Sequence, residues 1–563
     1  MFVAGSSAGT SGSHETHRPV AALDCAIVLY LALPLALFLA GWYRPGLAVV
    51  LELALIAALW PLVGRLAAAG GGSRLTAGAG LPAAAPAAPV GPAAGFGPAV
   101  TTGPRALARP EIALALAVAL AWTLCGGTGH WVFANADWPV RDAVLHDLVA
   151  GRWPVGYGML DGTPTILRAP LGFYLPAALI GKLAGLRWAH VAMSAWTALG
   201  VALFLLAVIS LVPARRGAAA AALAVVVLFS GLDLLGTLMV RPEALAHLGQ
   251  HLEWWARDYQ YSSMTTQLFW VPNHALGGWL AIVLLARTRD TSALEPLWAL
   301  IVIAVAFWSP LAALGLAPFV LWRVGSRALA AHSAAPLMPR NWAPALLVGL
   351  ALASYLALDA ARIPKGLTFG RHGLEPLALA HDFLRQGVFF LLEAGLVGCA
   401  LLTLVRSSEL VLALALLALL PLVSFGAAND LAMRASIPSL AVLALGAALA
   451  VVRPPPGTGE SRARSLSARS LRARKAVLGV LLLLGAVTPL EEFARAVLLP
   501  RWPINLEARL IEAACGVYPA HYVARLEGQL AAYLLRTPQV LAAGPPATDC
   551  HNPAARLMRE HGL

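Results

Sequence analysis

The chain is predicted to be all-α, a polytopic transmembrane helix bundle of about thirteen spans with interfacial helices on its outer side. Three observations predict this. Apolar residues make up 59% of the 563 positions and charged residues only 12%, too few charges to cover a soluble protein of this size. Mean hydropathy is +0.74. The apolar runs are helical in length and lack the alternation of a membrane barrel.

The expected spans fall near 22–42, 46–67, 110–127, 188–212, 217–235, 265–286, 294–308, 310–323, 343–361, 388–405, 408–426, 436–452 and 476–493. The pair around Ser309-Pro310 reads equally as one broken hairpin. No small-residue cleavage site follows the polar start, so Val20 to Trp42 is expected to be a retained anchor. The formal net charge of +12 does not indicate nucleic-acid binding. The arginines lie mostly between spans, where basic loops hold the cytoplasmic side. Placing the N-terminus inside puts Arg65, Arg74, Arg105 and Arg109, then Arg215-Arg216, Arg287 and Arg289 in inner loops. Arg323, Arg327 and Arg340, then Arg406, then the basic stretch before Lys475 follow the same alternation. The expected location is therefore the inner (plasma) membrane, with the C-terminus extracytoplasmic.

Six regions follow. Residues 1–67 are a polar tail and a transmembrane hairpin; 68–109 a Gly/Ala/Pro-rich cytoplasmic linker expected to be disordered; and 110–453 the core, with a first external loop at 128–187. Residues 454–475 form a basic cytoplasmic loop, 476–493 the last span, and 494–563 a small extracytoplasmic region with helical character from Asn505 to Arg536. Within the first external loop, 171–186 is too short to cross and reads as a helix lying in the outer leaflet. Cys515 and Cys550 are the one cysteine pair in a polar region and could close a loop in an oxidising compartment.

Ionisable groups at the mouths of spans are costly unless they serve a purpose. The first such island is Asn135-Ala-Asp137-Trp-Pro-Val-Arg141-Asp142, just after the span near 110–127. Asp137 is the candidate base. Arg141, about one helical turn on, and Arg168, further along the loop, are candidate phosphate ligands. Asp142 and Asp147 are expected to face water on an amphipathic surface helix. A second island holds Asp233, then His247 and His251, then Gln267, Asn273 and His274 entering an apolar span. Asp233, Gln267, Asn273 and His274 are candidate substrate contacts. The two histidines at i, i+4 suit a metal if they share a helix face, but no third ligand stands at a familiar spacing, so no metal or other cofactor is assigned. The third island, Asn429-Asp430 to Arg434, offers a guanidinium whose planar fork fits a lipid-linked phosphate, with Asp430 as its neighbour.

A span, a long external loop beginning with an Asp, interfacial helices and a many-span bundle together resemble the GT-C superfamily of integral-membrane glycosyltransferases. The resemblance covers roughly 110–453. It implies a polyprenyl-phosphate-linked sugar as donor, a glycan, lipid or protein acceptor in the cell envelope, Asp137 as catalytic base and Arg434 as a ligand of the lipid phosphate. The chain departs from the family in its additional hairpin (22–67) and in having Asp137-Trp138 where many members carry an acidic pair. A transporter or flippase of a lipid-linked envelope intermediate is the rival expectation. It fits less well, because the charges cluster at one face and no internal repeat is visible.

Overall fold

The computed structural model describes residues 11–70, 104–289, 294–334, 337–369, 375–426, 428–453, 462–514, 518–528 and 533–541. It is predominantly helical. The N-terminal half comprises α1 (Ser11–Trp42), α2 (Pro45–Gly70), α3 (Arg109–Leu124), α4 (Trp138–Ala150), α5 (Leu175–Ala184), α6 (Leu186–Ser210), α7 (Ala218–Val227), α8 (Asp233–Val240), α9 (Met264–Trp270) and α10 (Pro272–Arg287). There follow α11 (Trp298–Trp308), α12 (Pro310–Ala330), α13 (Ala343–Leu356), α14 (Pro376–Phe390), α15 (Leu396–Leu404), α16 (Ser408–Leu419), α17 (Asp430–Ala435), α18 (Ile437–Val452), α19 (Arg462–Gly485), α20 (Val487–Leu498) and α21 (Leu510–Ala513).

Six helical stretches are long and apolar enough to cross a membrane among the described residues: Ala22–Trp42, Pro45–Val63, Leu186–Ser210, Pro376–Leu404, Asp430–Val452 and Arg469–Leu498. Several other expected spans are shorter apolar helices, because proline and polar residues interrupt them. The run near 265–286 breaks at Val271-Pro272, and the run near 217–235 stops at Leu228, before Ser230-Gly231. Such breaks are tolerated at membrane depth only where packed protein satisfies the freed backbone groups. At Ser309 the break is itself a cap: its side chain accepts the Ala312 N–H at 3.2 Å and starts α12 directly after α11.

The N-terminal hairpin is part of the bundle. Tyr30 of α1 stacks on Trp196 of α6 with ring centroids 4.1 Å apart, and Phe38 packs on Phe307 and Tyr355. A buried Arg287–Asp24 ion pair (2.7 Å) ties α10 to α1.

The basic segment expected to be a loop at 454–475 is helical from Arg462 on, continuous with the last span as α19. The disordered linker expected at 68–109 falls mostly outside the described residues, as do Cys515 and Cys550.

Small sheets modify the all-α expectation. β1 (Val155–Gly156), β2 (Met159–Leu160) and β3 (Thr163–Leu167) belong to the first external loop. β4 (Lys365–Leu367) pairs antiparallel with β5 (Val423–Phe425). The C-terminal strands β6 (Val523–Arg525) and β7 (Gln539–Val540) join β3 antiparallel and β1 parallel. Helical character expected over Asn505 to Arg536 is therefore corrected. Among the described residues there, Leu510–Ala513 and residues 533–534 are helical, while Val523–Arg525 spends its backbone hydrogen bonds on the loop's strand β3.

One glycine sets the position of α17. A Cβ on Gly315 would lie 2.0 Å from the Ala435 carbonyl oxygen, so α12 and α17 approach backbone to backbone. Gly315→Ala is expected to cost about 1–3 kcal/mol and to displace the turn that carries Arg434. A thermal midpoint equal to wild type would show that the approach is not tight.

Candidate functional site

The Asp137 turn is built by docking onto the C-terminal end of α9. The last carbonyls of a helix have no partner within it, and here the first external loop supplies donors. Asn135 Nδ2 and Trp138 Nε1 both donate to the Phe269 carbonyl, at 2.9 and 3.1 Å. Arg141 Nη2 donates to the Trp270 carbonyl. Asn135 Oδ1 in turn accepts the Asp137 N–H at 3.1 Å. Gly127, at φ +79°, makes room for this anchor, since a Cβ there would meet Trp138 Nε1 at 2.7 Å.

Asp137 and Arg141 form an i, i+4 ion pair at 2.6 Å, the carboxylate side chain 44% exposed and the guanidinium only 3%. Arg141 Nη1 also donates to Asn273 Oδ1 at 3.1 Å. Asn273 Nδ2 donates to His274 Nε2 at 3.1 Å, which leaves Nδ1–H to donate to Ser309 Oγ at 2.9 Å. A chain of contacts thus runs from an accessible carboxylate into the bundle. Burial works against the Arg141 charge, but Asp137, Tyr174 and Tyr522 outweigh it and raise its pKa.

Arg434 pairs with Asp430 at 2.9 Å and stays 23% exposed. The C-terminal segment lies between this pair and the first. Tyr522 is within electrostatic reach of Arg141, Arg434, Asp137 and Asp430, and His521 of Arg434, Asp430, Arg168 and Asp137. Burial and then the Arg434 charge press His521 below its ordinary value, leaving a neutral ring. Arg168 holds the segment in place rather than reaching outward. Its backbone N–H donates to the Tyr522 carbonyl at 2.7 Å and its Nη2 to the Ala520 carbonyl at 2.5 Å.

Two other candidates use their polar groups elsewhere. Gln267 accepts from Trp279 Nε1 and donates to the Ser262 carbonyl, both at 2.8 Å, so both ends of its amide are engaged inside the bundle. Asp233 accepts from Ser230 at 2.9 Å and Thr488 at 3.0 Å and lies beside Glu393, whose Oε1 accepts from Trp255 Nε1 at 2.8 Å. That places Asp233 in a second polar cluster.

Asp142 and Asp147, expected to face water, are fully buried. The C-terminal segment covers their helix. Asp142 accepts the Asn505 N–H at 3.2 Å and pairs with His130 at 2.9 Å. Asp147 accepts the Leu510 N–H at 3.0 Å and the Tyr157 hydroxyl at 2.9 Å.

The second cluster contains His251, and here too the expectation is corrected. His247 and His251 share no helix face, because each flanks a separate 3-10 turn, 242–246 and 252–256. His251 instead meets Glu492 at 3.1 Å and Glu253 at 3.4 Å. Burial lowers its pKa, but these two carboxylates outweigh burial and lift it to about 10. Trp270 joins the clusters: its carbonyl accepts from Arg141, its indole N–H donates to Glu492 at 2.8 Å, and its ring stacks on His251. A cavity of water size lies between them, lined by Asn135, Phe269, Glu492 and Arg495 among others.

Glu393, Glu492, His521 and Tyr522 escaped the sequence reading. For the glutamates a signal existed, an acid inside Leu391-Leu-Glu393-Ala-Gly and a Glu491-Glu492 pair ending the last span. For His521-Tyr522 there was none.

Fold and site define a predominantly helical protein with six helical stretches long and apolar enough to cross a membrane among its described residues, and with a polar, charge-paired centre. Comparison with protein-family models, curated proteins and solved structures returns no match to this chain.

Proposed function

We infer that the chain is a membrane glycosyltransferase of GT-C type, moving a sugar from a polyprenyl-phosphate donor to an extracytoplasmic acceptor with inversion. One observation carries this reading: Asp137 and the Asp430–Arg434 pair, far apart in sequence, are all within electrostatic reach of the same two residues, His521 and Tyr522. A sugar on a polyprenyl phosphate already has a good leaving group. The reaction needs a base for the acceptor hydroxyl and cations for the departing phosphate. Asp137 is the exposed carboxylate, and Arg434 the more accessible of the two guanidiniums. Arg141 is already committed to Asp137, Asn273 and Trp270, so its role is to hold and orient the base. In this reading the shorter apolar helices complete about thirteen crossings, in the inner membrane, with the N-terminus cytoplasmic and the charge pairs outside.

Charge-assisted hydrogen bonds are worth about 1.5–3 kcal/mol. Arg434→Ala is therefore expected to raise the KM for a polyprenyl-phosphate sugar about ten- to a hundredfold, with a smaller change in kcat. Arg434→Lys should recover only part of the loss, because an ammonium lacks the fork. An unchanged KM in the alanine variant would remove Arg434 from the donor site.

The transport reading draws on a different observation, the buried Asp233–Glu393 carboxyl pair among apolar helices. It requires Asp233→Asn to abolish movement of lipid-linked sugar across vesicles while Asp137→Asn leaves that movement intact.

A further inference from the structure

Trp270 leads away from the Asp137 turn to a group of residues with no part in the proposed transfer. The potential ligand atoms of His251, Glu491 and Glu492 all lie within 4.8 Å of one another. They come from two elements: the segment before the 3-10 turn 252–256, and the middle of α20. His251 and Glu492 are fully buried or nearly so, and His251 Nδ1, Glu491 Oε2 and Glu492 Oε1 have no well-formed hydrogen bond. Nδ1 and Glu492 Oε1 meet as an ion pair 3.1 Å apart without hydrogen-bond geometry, and buried polar atoms left so are uncommon and call for an occupant.

The surroundings of the group point to a cation. Metal-binding histidines characteristically turn their second ring nitrogen toward a carboxylate, which fixes the ring and its tautomer. Here Nδ1 faces Glu492 Oε1 at 3.1 Å, and Nε2 faces Glu253 Oε2 at 3.4 Å. Glu253 is itself fixed by the Ser263 N–H at 2.8 Å and Gln260 Nε2 at 2.9 Å. On the other side, Trp270 Nε1 orients Glu492 through its Oε2, leaving Oε1 toward the ring. Once the imidazole gives up its Nδ1 proton, three carboxylates (Glu253, Glu491, Glu492) face one guanidinium, Arg495, whose Nη1 is 3.5 Å from Glu492 Oε1. The excess is two negative charges, which a divalent ion neutralises. Arg241 approaches only the His251 backbone carbonyl, at 3.4 Å.

We propose that His251, Glu491 and Glu492 form a divalent-cation site of zinc type, with Glu253 orienting the histidine. One imidazole and two carboxylates suit Zn²⁺ better than the all-oxygen shells of Mg²⁺ or Ca²⁺, and three protein ligands leave a fourth position for water. Binding exchanges the Nδ1 proton, which passes to solvent, for the metal. The ion would clamp the 3-10 turn to α20 and, through Trp270, stiffen the wall that carries Arg141. The site is independent of the proposed glycosyl transfer.

The test uses the full chain purified in detergent, stripped with chelator and titrated with Zn²⁺, with Co²⁺ absorption as the spectroscopic readout. The expected result is one zinc per chain and a visible cobalt band. Affinity should fall about 10–100-fold in Glu253→Gln and further in His251→Asn and Glu492→Gln, while Asp137→Asn binds as wild type. Because buried variants can misfold, the more accessible Glu491→Gln and the melting temperature of each protein with and without Zn²⁺ accompany them. A wild-type chain that takes up no stoichiometric zinc overturns the proposal. So does wild-type affinity in both folded Glu491→Gln and folded Glu492→Gln, or loss of the zinc on Asp137→Asn.

Discussion

Asp137→Asn is expected to slow sugar transfer by about 10²–10⁴, the usual contribution of a general base, while the protein stays folded. Fold retention follows from the geometry. Asp137 is half exposed, its backbone is held by Asn135, and an amide oxygen still accepts from Arg141. Arg141 also keeps its bonds to Asn273 and the Trp270 carbonyl. The measurement is release of polyprenyl phosphate by protein reconstituted with a panel of polyprenyl-phosphate sugars and acceptors. Release at the wild-type rate in the variant would end the assignment of Asp137, whatever the fate of Arg434. A variant that unfolds would mean that the ion pair is structural.

Asp142→Ala is expected to have the largest effect on stability, about 3–5 kcal/mol, because it leaves a buried partner uncompensated. His130 loses the carboxylate 2.9 Å from its Nε2, and the Asn505 N–H loses its acceptor. His130 also contacts Trp502, with its Nδ1 3.1 Å from the Trp502 carbonyl and its ring edge-on to the indole at 4.0 Å. The effect should therefore spread along the segment that delivers His521 and Tyr522 to the site. Lower thermal stability should be accompanied by protease cleavage after about residue 500. A variant with a wild-type melt and digestion pattern would show that the C-terminal segment is held by its strands alone.

The contrast between Asp137 and Asp142 shows what was legible. Both sit in one polar island, and the spacing correctly put Arg141 one turn from Asp137, because that contact is local and helical. Burial of Asp142 and Asp147 was not legible. The groups that cover them, Asn505 and Leu510, are more than three hundred positions away, and nothing local marks them as neighbours. The bonding of Gln267 was not legible for the same reason, since its partner is Trp279 on the next helix after a proline break. His251 illustrates it most clearly: the i, i+4 spacing to His247 suggested a metal pair, and the residues that meet His251 come instead from α20 and from the turn beside it.

Composition and apolar run length alone determined that this is a helical, membrane-type chain, because a bilayer admits few ways to satisfy a backbone and helices need only local hydrogen bonds. The positions of isolated charges in apolar surroundings marked Asp137, Arg141 and Arg434 for the same energetic reason. Only the tertiary structure decided which of those charges meet, which are sealed by the C-terminal segment, and that glutamates at the end of the last span converge on His251. Such pairings depend on long-range packing, and a buried ionic group carries no local imprint of the partner that neutralises it.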